Sequence, residues 1–237
     1  MRVTRADGEG QRILDDVEQM GEAVAQSKLQ PQGVLRICSS SGFGRNRLGP
    51  ALSQLARQYP QLKVQLELLD RPVDLLGEGF DLDIRVGVVH ELDLIAHRIA
   101  DNIRVLCAAP AYLEQYGAPA TLTELRAHQC LVIRERDQDG RRWKLQGPDG
   151  TETVKVDGQL SANNGELVHQ WALDGHGIIL RSAWDVEHSL AQGKLVRILP
   201  AYQQPADVWA VTTSRLSNSA KVRACVQFLQ QWLQARA

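Results

Sequence analysis

VLRICSSSGFGRNRLGPALSQLARQYPQLKVQLELLDRPVDLLGEGFDLDIRVG, residues 34–87, is the stretch of sequence that determines the fold. Three short apolar or alternating runs within it predict strands: VLRIC (34–38), LKVQLELL (62–69) and FDLDIRVG (80–87). Between the first two runs, apolar residues mark one face of a helix that Pro60 ends: Leu48, Leu52, Leu55, Ala56 and Tyr59. VDLLGEG, which follows Pro72, predicts a second, short helix. This alternation of strands and helices predicts a parallel sheet with helices on its faces.

The chain continues in the same manner, in shorter pieces, after residue 87. Residues 95–109 predict one long strand or two consecutive strands, ended by Pro110. Further helices are predicted near 110–116, 121–127, 166–174 and 185–193, and further strands at 130–134, 142–146, 153–157, 177–181 and 194–200. The last strand, 208–213, and the last helix, 218–235, have no partners of their own in this second run. We therefore expect them to return to the first sheet, which gives two α/β lobes with a cleft between them.

These predictions divide the chain into lobe I (33–108 and 207–237) and lobe II (109–206), preceded by a helix within residues 1–32. That helix has a narrow apolar stripe and is ended by Pro31 and Gly33. The stripe consists of Ile13, Val17, Met20 and Val24. It either packs on the core of its own chain or forms a helix–helix dimer seam. We favour the seam, because the helix stands alone before a breaker.

The composition limits the partners and the compartment. The chain has 237 residues, and its 27 Lys and Arg against 28 Asp and Glu give a net charge of −1, which argues against nucleic-acid binding by the whole surface. No apolar run is long enough for a membrane helix, and the N-terminus lacks the apolar stretch of a signal peptide. Cys38, Cys107, Cys130 and Cys225 are scattered. We expect reduced thiols in the cytoplasm, with a disulfide or a metal site as alternatives.

A serine-rich loop between the first predicted strand and helix is the first candidate binding feature. It is formed by Ser39, Ser40, Ser41 and Gly42. Hydroxyls and free N–H groups at a helix start suit an anion such as a carboxylate, and ligands of open α/β sheets lie beyond the carboxyl ends of strands. Helix capping alone is the alternative interpretation. The loop matches neither the P-loop pattern nor GxGxxG.

Two arginines are further candidates. Arg85 lies in the third predicted strand, where its charge needs a partner. The partner is either Asp70, Asp81 or Asp83 in a structural ion pair, or the carboxylate of a ligand. Arg71, in the turn after the second strand, has the same two alternatives.

An amide pair in lobe II resembles the serine loop in its position. Asn163 and Asn164 precede a predicted helix and either cap it or face a ligand across the cleft.

A catalytic site is not indicated, since the sequence contains neither HExxH nor GxSxG. Cys130 and His128 share a strand face, and we interpret them as a buried thiol beside a surface imidazole.

The order of several motifs is informative about the family. VTRADGEGQRILDDVE is similar to the end of the wing and the start of the linker helix in LysR-type transcriptional regulators, and QGVLRICSSSGFGRNRLGPALSQLARQYPQLKVQLEL to the beginning of their effector-binding domain. RPVDLLGEGFDLDIRVG, CAAPAYLEQYGAP, DGQLSANNGELVHQWALDGHGIIL and LAQGKLVRILP resemble later segments of that domain. The resemblance covers the chain from about residue 3 onward.

The resemblance implies a two-lobed, periplasmic-binding-protein-like (type 2) α/β fold. It implies a small-molecule effector in the cleft, often a carboxylate or aromatic acid, and self-association as an antiparallel dimer or a tetramer. The positions implied to line the cleft are Ser39, Ser40, Ser41, Gly42, Arg71, Arg85, Arg134, Asn163 and Asn164. Promoter DNA would be bound only through the family's N-terminal winged helix-turn-helix, which we expect this chain to lack. Arg181–Ser182 stand where many members carry Leu-Pro.

The sequence therefore favours a ligand-sensing regulatory domain in the cytoplasm, with no enzyme activity, cofactor, metal or membrane partner. A solute-binding protein for a small anionic ligand is the alternative, and such a protein would carry a secretion signal. A hydrolase on a doubly wound fold is a third hypothesis, for which we find no catalytic constellation.

Overall fold

The computed structural model describes residues 30–89, 91–134, 140–213 and 219–235. The predicted N-terminal helix, with its stripe of Ile13, Val17, Met20 and Val24, lies outside these residues. Within the described ranges, no helix is both long and apolar enough to cross a membrane.

Lobe I is built on a five-stranded sheet. Its strands are β1 (Gly33–Ser39), β2 (Leu62–Leu68), β3 (Leu82–Val86), β4 (Leu94–Ala100) and β13 (Val208–Thr213), and their order is β2-β1-β3-β13-β4. β1 is parallel to β2 and β3, whereas β13 is antiparallel to β3 and β4. The last strand thus returns to the first sheet, as the sequence predicted.

Lobe II is built around β5 (Ile103–Ala108). Its antiparallel partners are β10 (Ile179–Ser182), β11 (Val196–Arg197) and β12 (Gln204–Pro205). A hairpin of β7 (Arg142–Gly147) and β8 (Gly150–Lys155), and a short parallel pair of β6 (Val132–Ile133) and β9 (Ser161–Ala162), complete the lobe.

The boundary between the lobes differs from the predicted one. Residues 103–108, which the sequence analysis assigned to lobe I, pair with strands of the second sheet. The chain therefore crosses between β4 and β5, and it returns between β12 and β13. Asn102 holds this crossover, because its Nδ2 donates to Ser182 Oγ at 3.1 Å and to the Ala206 carbonyl at 2.9 Å.

The first helix, α1, begins earlier than its apolar face predicts. It consists of an α-helical turn (Ser41–Phe43), a π-helical stretch (Gly44–Leu48) and an α-helix (Gly49–Gln58). Ser and Gly residues usually favour turns, which is why the sequence suggested a loop here. A Cβ at position 44 would lie 2.2 Å from Leu68 Cδ2, so the exposed Leu68 side chain would have to move for any larger residue there.

The prediction of a second helix at VDLLGEG is wrong. Residues 75–79 form turns. The Asp74 carboxylate accepts the N–H groups of Leu76 and Gly77 at 3.2 and 3.0 Å. This is the pattern of a helix N-cap, but the helix ends after one turn, because Gly79 has a positive φ of 72° and the Phe80 N–H bonds back to the Leu75 carbonyl at 2.9 Å.

The remaining helices follow the prediction closely. They are α2 (Pro110–Tyr116), a 3₁₀ turn (Thr123–Ala127), α3 (Gly165–Leu173), α4 (Ala183–Ala191) and α5 (Ala220–Gln234). The strand predicted at 194–200 is reduced to β11. The positive φ of 44° at Leu199 and the following Pro200 are incompatible with an extended strand.

The core of lobe I lies between its sheet and the helices α1 and α5. Leu35 and Ile37 of β1, Leu55 of α1, Ile84 of β3 and Leu229 of α5 are all fully buried in one cluster. Lys221 of α5 is also paired with Asp81, just before β3, at 2.6 Å. Helix α5 is therefore held to the sheet both by apolar contacts and by an ion pair.

We predict that Leu35→Ala lowers the free energy of unfolding by about 2–5 kcal/mol, because it leaves a cavity in the centre of this cluster. Urea unfolding followed by circular dichroism measures the change. Leu76→Ala is the matched control, since Leu76 is 71% exposed, and its effect should stay within about 0.5 kcal/mol. Equal losses in both variants would contradict the placement of β1 in the core.

Candidate functional site

A cleft of 740 Å³ lies between the lobes. The lobe I wall comes from the segments that follow β1 and β2, and from the end of β3 with the loop that follows: Ser40, Asp70, Pro72, Val73, Arg85, Val86, Gly87, Val88 and Glu91. The lobe II wall comes from β5, β7, β8 and β12: Arg104, Arg142, Lys144, Gln146, Thr151, Gln204 and Pro205. The strand ends are where open α/β sheets bind ligands, and the volume suits a small molecule.

The serine loop is divided among different environments. Ser39, the last residue of β1, is fully buried, and its hydroxyl donates to the Ile84 carbonyl at 2.8 Å. It therefore belongs to the sheet and not to the cleft. Ser40 lines the cleft, whereas Gly42 lines a narrow extension of it towards lobe II. Ser41 is engaged by a carboxylate of the chain itself.

That carboxylate is Asp70, which lies just beyond the end of β2. Its Oδ1 accepts the Ser41 N–H at 2.9 Å, and its Oδ2 accepts Ser41 Oγ at 2.7 Å and Asn164 Nδ2 at 2.8 Å. Asn164 also caps α3, because its Oδ1 accepts the Leu167 N–H at 3.0 Å. The anion predicted at the serine loop is thus supplied by the protein, and Asn164 both caps its helix and reaches across to lobe I.

Arg85 forms a structural ion pair, one of the two alternatives that the sequence left open. Its Nε donates to Asp83 Oδ2 at 2.6 Å and its Nη1 to Glu91 Oε1 at 2.5 Å. Asp83 is fully buried and needs a positive partner there. Arg85 also lines the cleft, so the described lining of the lobe I wall contains Asp70, Glu91 and Arg85 as its charged residues.

The lobe II wall contains basic residues that were not predicted from the sequence. Along β7, Trp143 and Leu145 are buried in the lobe II core, whereas Arg142, Lys144 and Gln146 alternate with them and line the cleft. The alternation RWKLQ was sufficient to place these three side chains on one face. What the sequence could not show is that this face is turned towards lobe I.

Arg104 of β5 connects the two walls. Its Nη1 donates to Gln204 Oε1 at 3.2 Å, and its Nη2 lies 3.4 Å from the carbonyl oxygen of Val86 in lobe I. Together with Arg142 and Lys144, it makes the lobe II wall basic.

Of the nine predicted residues, Ser40 and Arg85 line the cleft and Gly42 lines its narrow extension. Besides Ser39, Ser41 and Asn164, three more lie outside the described lining: Arg71, Arg134 and Asn163. Arg71 is exposed and forms a two-point ion pair with Glu78 at 2.8 and 2.6 Å, which is its structural alternative. The hydrogen bonds from Arg71 lower the pKa of Glu78 to about 2. Arg134 is exposed, and its N–H donates to the Ala162 carbonyl at 2.8 Å.

A serine, a histidine and an aspartate lie in line between α3 and α4. His169 Nε2 is 3.1 Å from Ser189 Oγ, and His169 Nδ1 is 3.2 Å from Asp185 Oδ2. Arg181, which departs from the family pattern, donates to the same carboxylate at 2.8 and 2.6 Å. Ser189 is a nearly buried residue inside α4 and is not part of the described cleft lining. A nucleophile needs an accessible hydroxyl and oxyanion donors, so we interpret the group as a structural network.

The cysteines have no reactive environment. Cys38, Cys107, Cys130 and Cys225 are all buried thiols that form no disulfide. Burial raises the pKa of Cys107, Cys130 and Cys225 to about 12, so their thiolate forms are scarce at neutral pH. In the part of the chain that the structure describes, no cluster of three or more His, Cys, Asp or Glu residues could hold a metal ion.

Two sheets, two crossovers and a cleft at the strand ends define a two-lobed α/β domain of the periplasmic-binding-protein-like, type 2 class. Residues 28–234 match the LysR substrate binding domain, and the chain belongs to that family. It is the effector-binding domain of a LysR-type transcriptional regulator.

Curated relatives agree with this assignment, and solved structures agree with the fold. The chain is 54% identical over 222 residues to the HTH-type transcriptional regulator DmlR of Escherichia coli K12, covering 94% of this chain and 72% of DmlR. It is 48% identical over 226 residues to the HTH-type transcriptional activator TtdR of the same strain, covering 95% and 71%. The regulatory domain of CrgA from Neisseria meningitidis superposes with a TM-score of 0.72 at 27% identity, covering 85% of this chain and 98% of that one. Full-length AphB of Vibrio cholerae superposes with a TM-score of 0.75 at 24% identity, covering 96% and 78%.

We predict that Asp185 makes lobe II sensitive to acid. Burial alone raises the pKa of this carboxyl, but the hydrogen bond from His169 and the charge of Arg181 outweigh it, and the pKa is lowered overall. A depressed pKa contributes stability above the unfolded value of about 4, and this contribution is lost as the pH falls through the lower folded value.

Thermal unfolding between pH 2.5 and pH 7 tests this prediction. Asp185→Asn should be clearly less stable than the wild type at neutral pH, and the gap between their unfolding temperatures should narrow below about pH 4. Asp149→Asn, at an exposed turn position, is the control and should follow the wild type throughout. A gap that stays constant down to the lowest pH would contradict the prediction.

Proposed function

We propose that this domain senses a small carboxylate or aromatic acid, which binds in the cleft between the lobes and is held by the basic lobe II wall. The observation that carries the proposal is the position of Arg104, Arg142 and Lys144, which all line the cleft from one side. Guanidinium and ammonium groups form charge-assisted hydrogen bonds with carboxylates. The apolar residues Val73, Val86, Val88, Pro72 and Pro205 along the same cleft suit the body of such a ligand.

We further propose that the ligand acts through the arrangement of subunits. A ligand that contacts both walls favours one geometry of the lobes over others, and this bias changes how dimers or tetramers assemble. Promoter DNA would be bound by an N-terminal winged helix-turn-helix of the whole regulator, in the cytoplasm. The names of DmlR and TtdR, which describe HTH-type regulators, support a regulatory role without catalysis.

A screen of small acids by thermal shift tests the ligand class. Aromatic and short-chain carboxylates should raise the unfolding temperature in a concentration-dependent way, whereas the corresponding primary amides should not. No shift from any carboxylate, or equal shifts from acids and amides, would contradict the proposed ligand class.

The basic wall gives a second prediction for any acid that binds. Each of Arg142→Gln and Lys144→Gln should weaken binding by about tenfold or more, because a hydrogen bond to a charged group contributes about 1.5–3 kcal/mol. Isothermal titration calorimetry measures the change. Arg126→Gln is the control, since Arg126 is exposed on the 3₁₀ turn and outside the described lining of the cleft. Unchanged affinity in both wall variants would show that the acid binds elsewhere.

A further inference from the structure

Two carboxylates, one in each lobe, accept hydrogen bonds from the other lobe. Asp70 of lobe I accepts a hydrogen bond from Asn164 of lobe II. Glu166 of lobe II accepts hydrogen bonds from Arg45 and Asn46 of lobe I. The two acceptors therefore tie the start of α1 to the start of α3 by reciprocal contacts.

Both partners of the Asp70–Asn164 hydrogen bond are also held within their own lobes. Ser41 holds the carboxylate through its N–H and its hydroxyl, at 2.9 and 2.7 Å. Asn164 uses its amide nitrogen for Asp70 and its amide oxygen for the Leu167 N–H. A change in the angle between the lobes would break the Asn164–Asp70 hydrogen bond while leaving each helix cap in place.

The Glu166 contact depends on the π-helical stretch of α1. Arg45 donates hydrogen bonds to the Glu166 carboxylate from Nε, at 3.1 Å, and from Nη2. Asn46 Nδ2 donates to Glu166 Oε1 at 3.2 Å. Both donors lie within Gly44–Leu48. The wider turn of a π-helix places consecutive residues differently from an α-helix, and such stretches occur often at functional sites.

Apolar contacts continue the same boundary. The rings of Phe43 in α1 and Trp184 in α4 meet edge to face, with centroids 5.6 Å apart. The Arg47 guanidinium lies 5.7 Å from the centre of the Trp184 ring. Phe43 and Trp184 also line the narrow extension of the cleft, so this packed boundary adjoins it.

We propose that Asp70, Ser41 and Asn164, together with Glu166, Arg45 and Asn46, form a latch that sets the angle between the lobes. Asp70 belongs both to this latch and to the lining of the cleft. The latch is therefore the element through which a change inside the cleft reaches the lobe geometry. The latch itself is independent of the proposed ligand class, and its test uses no ligand.

The variant Asn164→Asp isolates the cross-lobe contact. Aspartate caps a helix as well as asparagine does, so the Leu167 N–H keeps its acceptor. The amide donor to Asp70 is replaced by a carboxylate oxygen, and two carboxylates then face each other. The double variant Asp70→Asn with Asn164→Asp restores one amide donor and one carboxylate acceptor across the boundary. It carries one negative charge at these two positions, as the wild type does, instead of the two in Asn164→Asp.

Hydrogen–deuterium exchange of the 237-residue chain at neutral pH is the measurement. In Asn164→Asp, the segment 40–48 should exchange about fivefold faster or more, the factor that one lost hydrogen bond produces. The double variant should return the rate towards that of the wild type. Glu166→Gln should also exchange faster, whereas Glu78→Gln should not, since Glu78 pairs with Arg71 within lobe I.

Two outcomes would overturn the proposal. One is a wild-type exchange rate in Asn164→Asp. The other is fast exchange that the double variant leaves unchanged, because the effect would then not pass through the Asp70 contact. If Asn164→Asp fails to fold, as judged by circular dichroism, Glu166→Gln decides: faster exchange supports the latch, and an unchanged rate overturns it.

Discussion

The first N–H groups of a helix have no acceptor within the helix and need one from elsewhere. At the start of α1, the group that meets this need also holds other parts of the structure together. Asp70 supplies the acceptor from the far end of β2. The parallel register of the sheet makes this possible: Ser39 is paired with Leu68, so Ser41 and Asp70 each lie two residues beyond a paired position. The same carboxylate reaches Asn164 in lobe II, and one acceptor thus positions the end of a strand, the start of α1 and the cap of α3.

The cleft that results has walls of unlike charge. Asp70 and Glu91 lie on the lobe I side, and Arg104, Arg142 and Lys144 on the lobe II side. The net charge of −1 for the whole chain conceals this separation. Opposite charges on facing walls attract each other, and the acid that we propose as the ligand would reduce that attraction at the lobe II wall while adding contacts of its own. Under the proposed function, ligand occupancy and lobe geometry would therefore be connected by electrostatics as well as by contact.

Local patterns in the sequence predicted most of the fold, and long-range contacts determined the rest. Alternation and helical spacing were enough for β1, β2 and the apolar face of α1, because these elements bury one side. The start of α1 was missed, since its acceptor comes from Asp70, far along the chain. Ser39 was expected in the cleft, but a strand ending one residue later than predicted turns its hydroxyl into the sheet.

The site was harder to predict than the fold for a related reason. Arg142 and Lys144 stand in a strand whose pattern was recognised, but periodicity shows only that two residues share a face. Which surface that face meets depends on how the hairpin of β7 and β8 sits against β12 and lobe I. Arg85 shows the converse, since a charged residue in an apolar strand draws attention and its partners prove to be Asp83 and Glu91. Opposite charges two residues apart in a buried strand, such as Asp83 and Arg85 of β3, therefore indicate an ion pair first. Basic residues that alternate with buried aromatic and aliphatic ones, as in β7, indicate a solvent-facing surface.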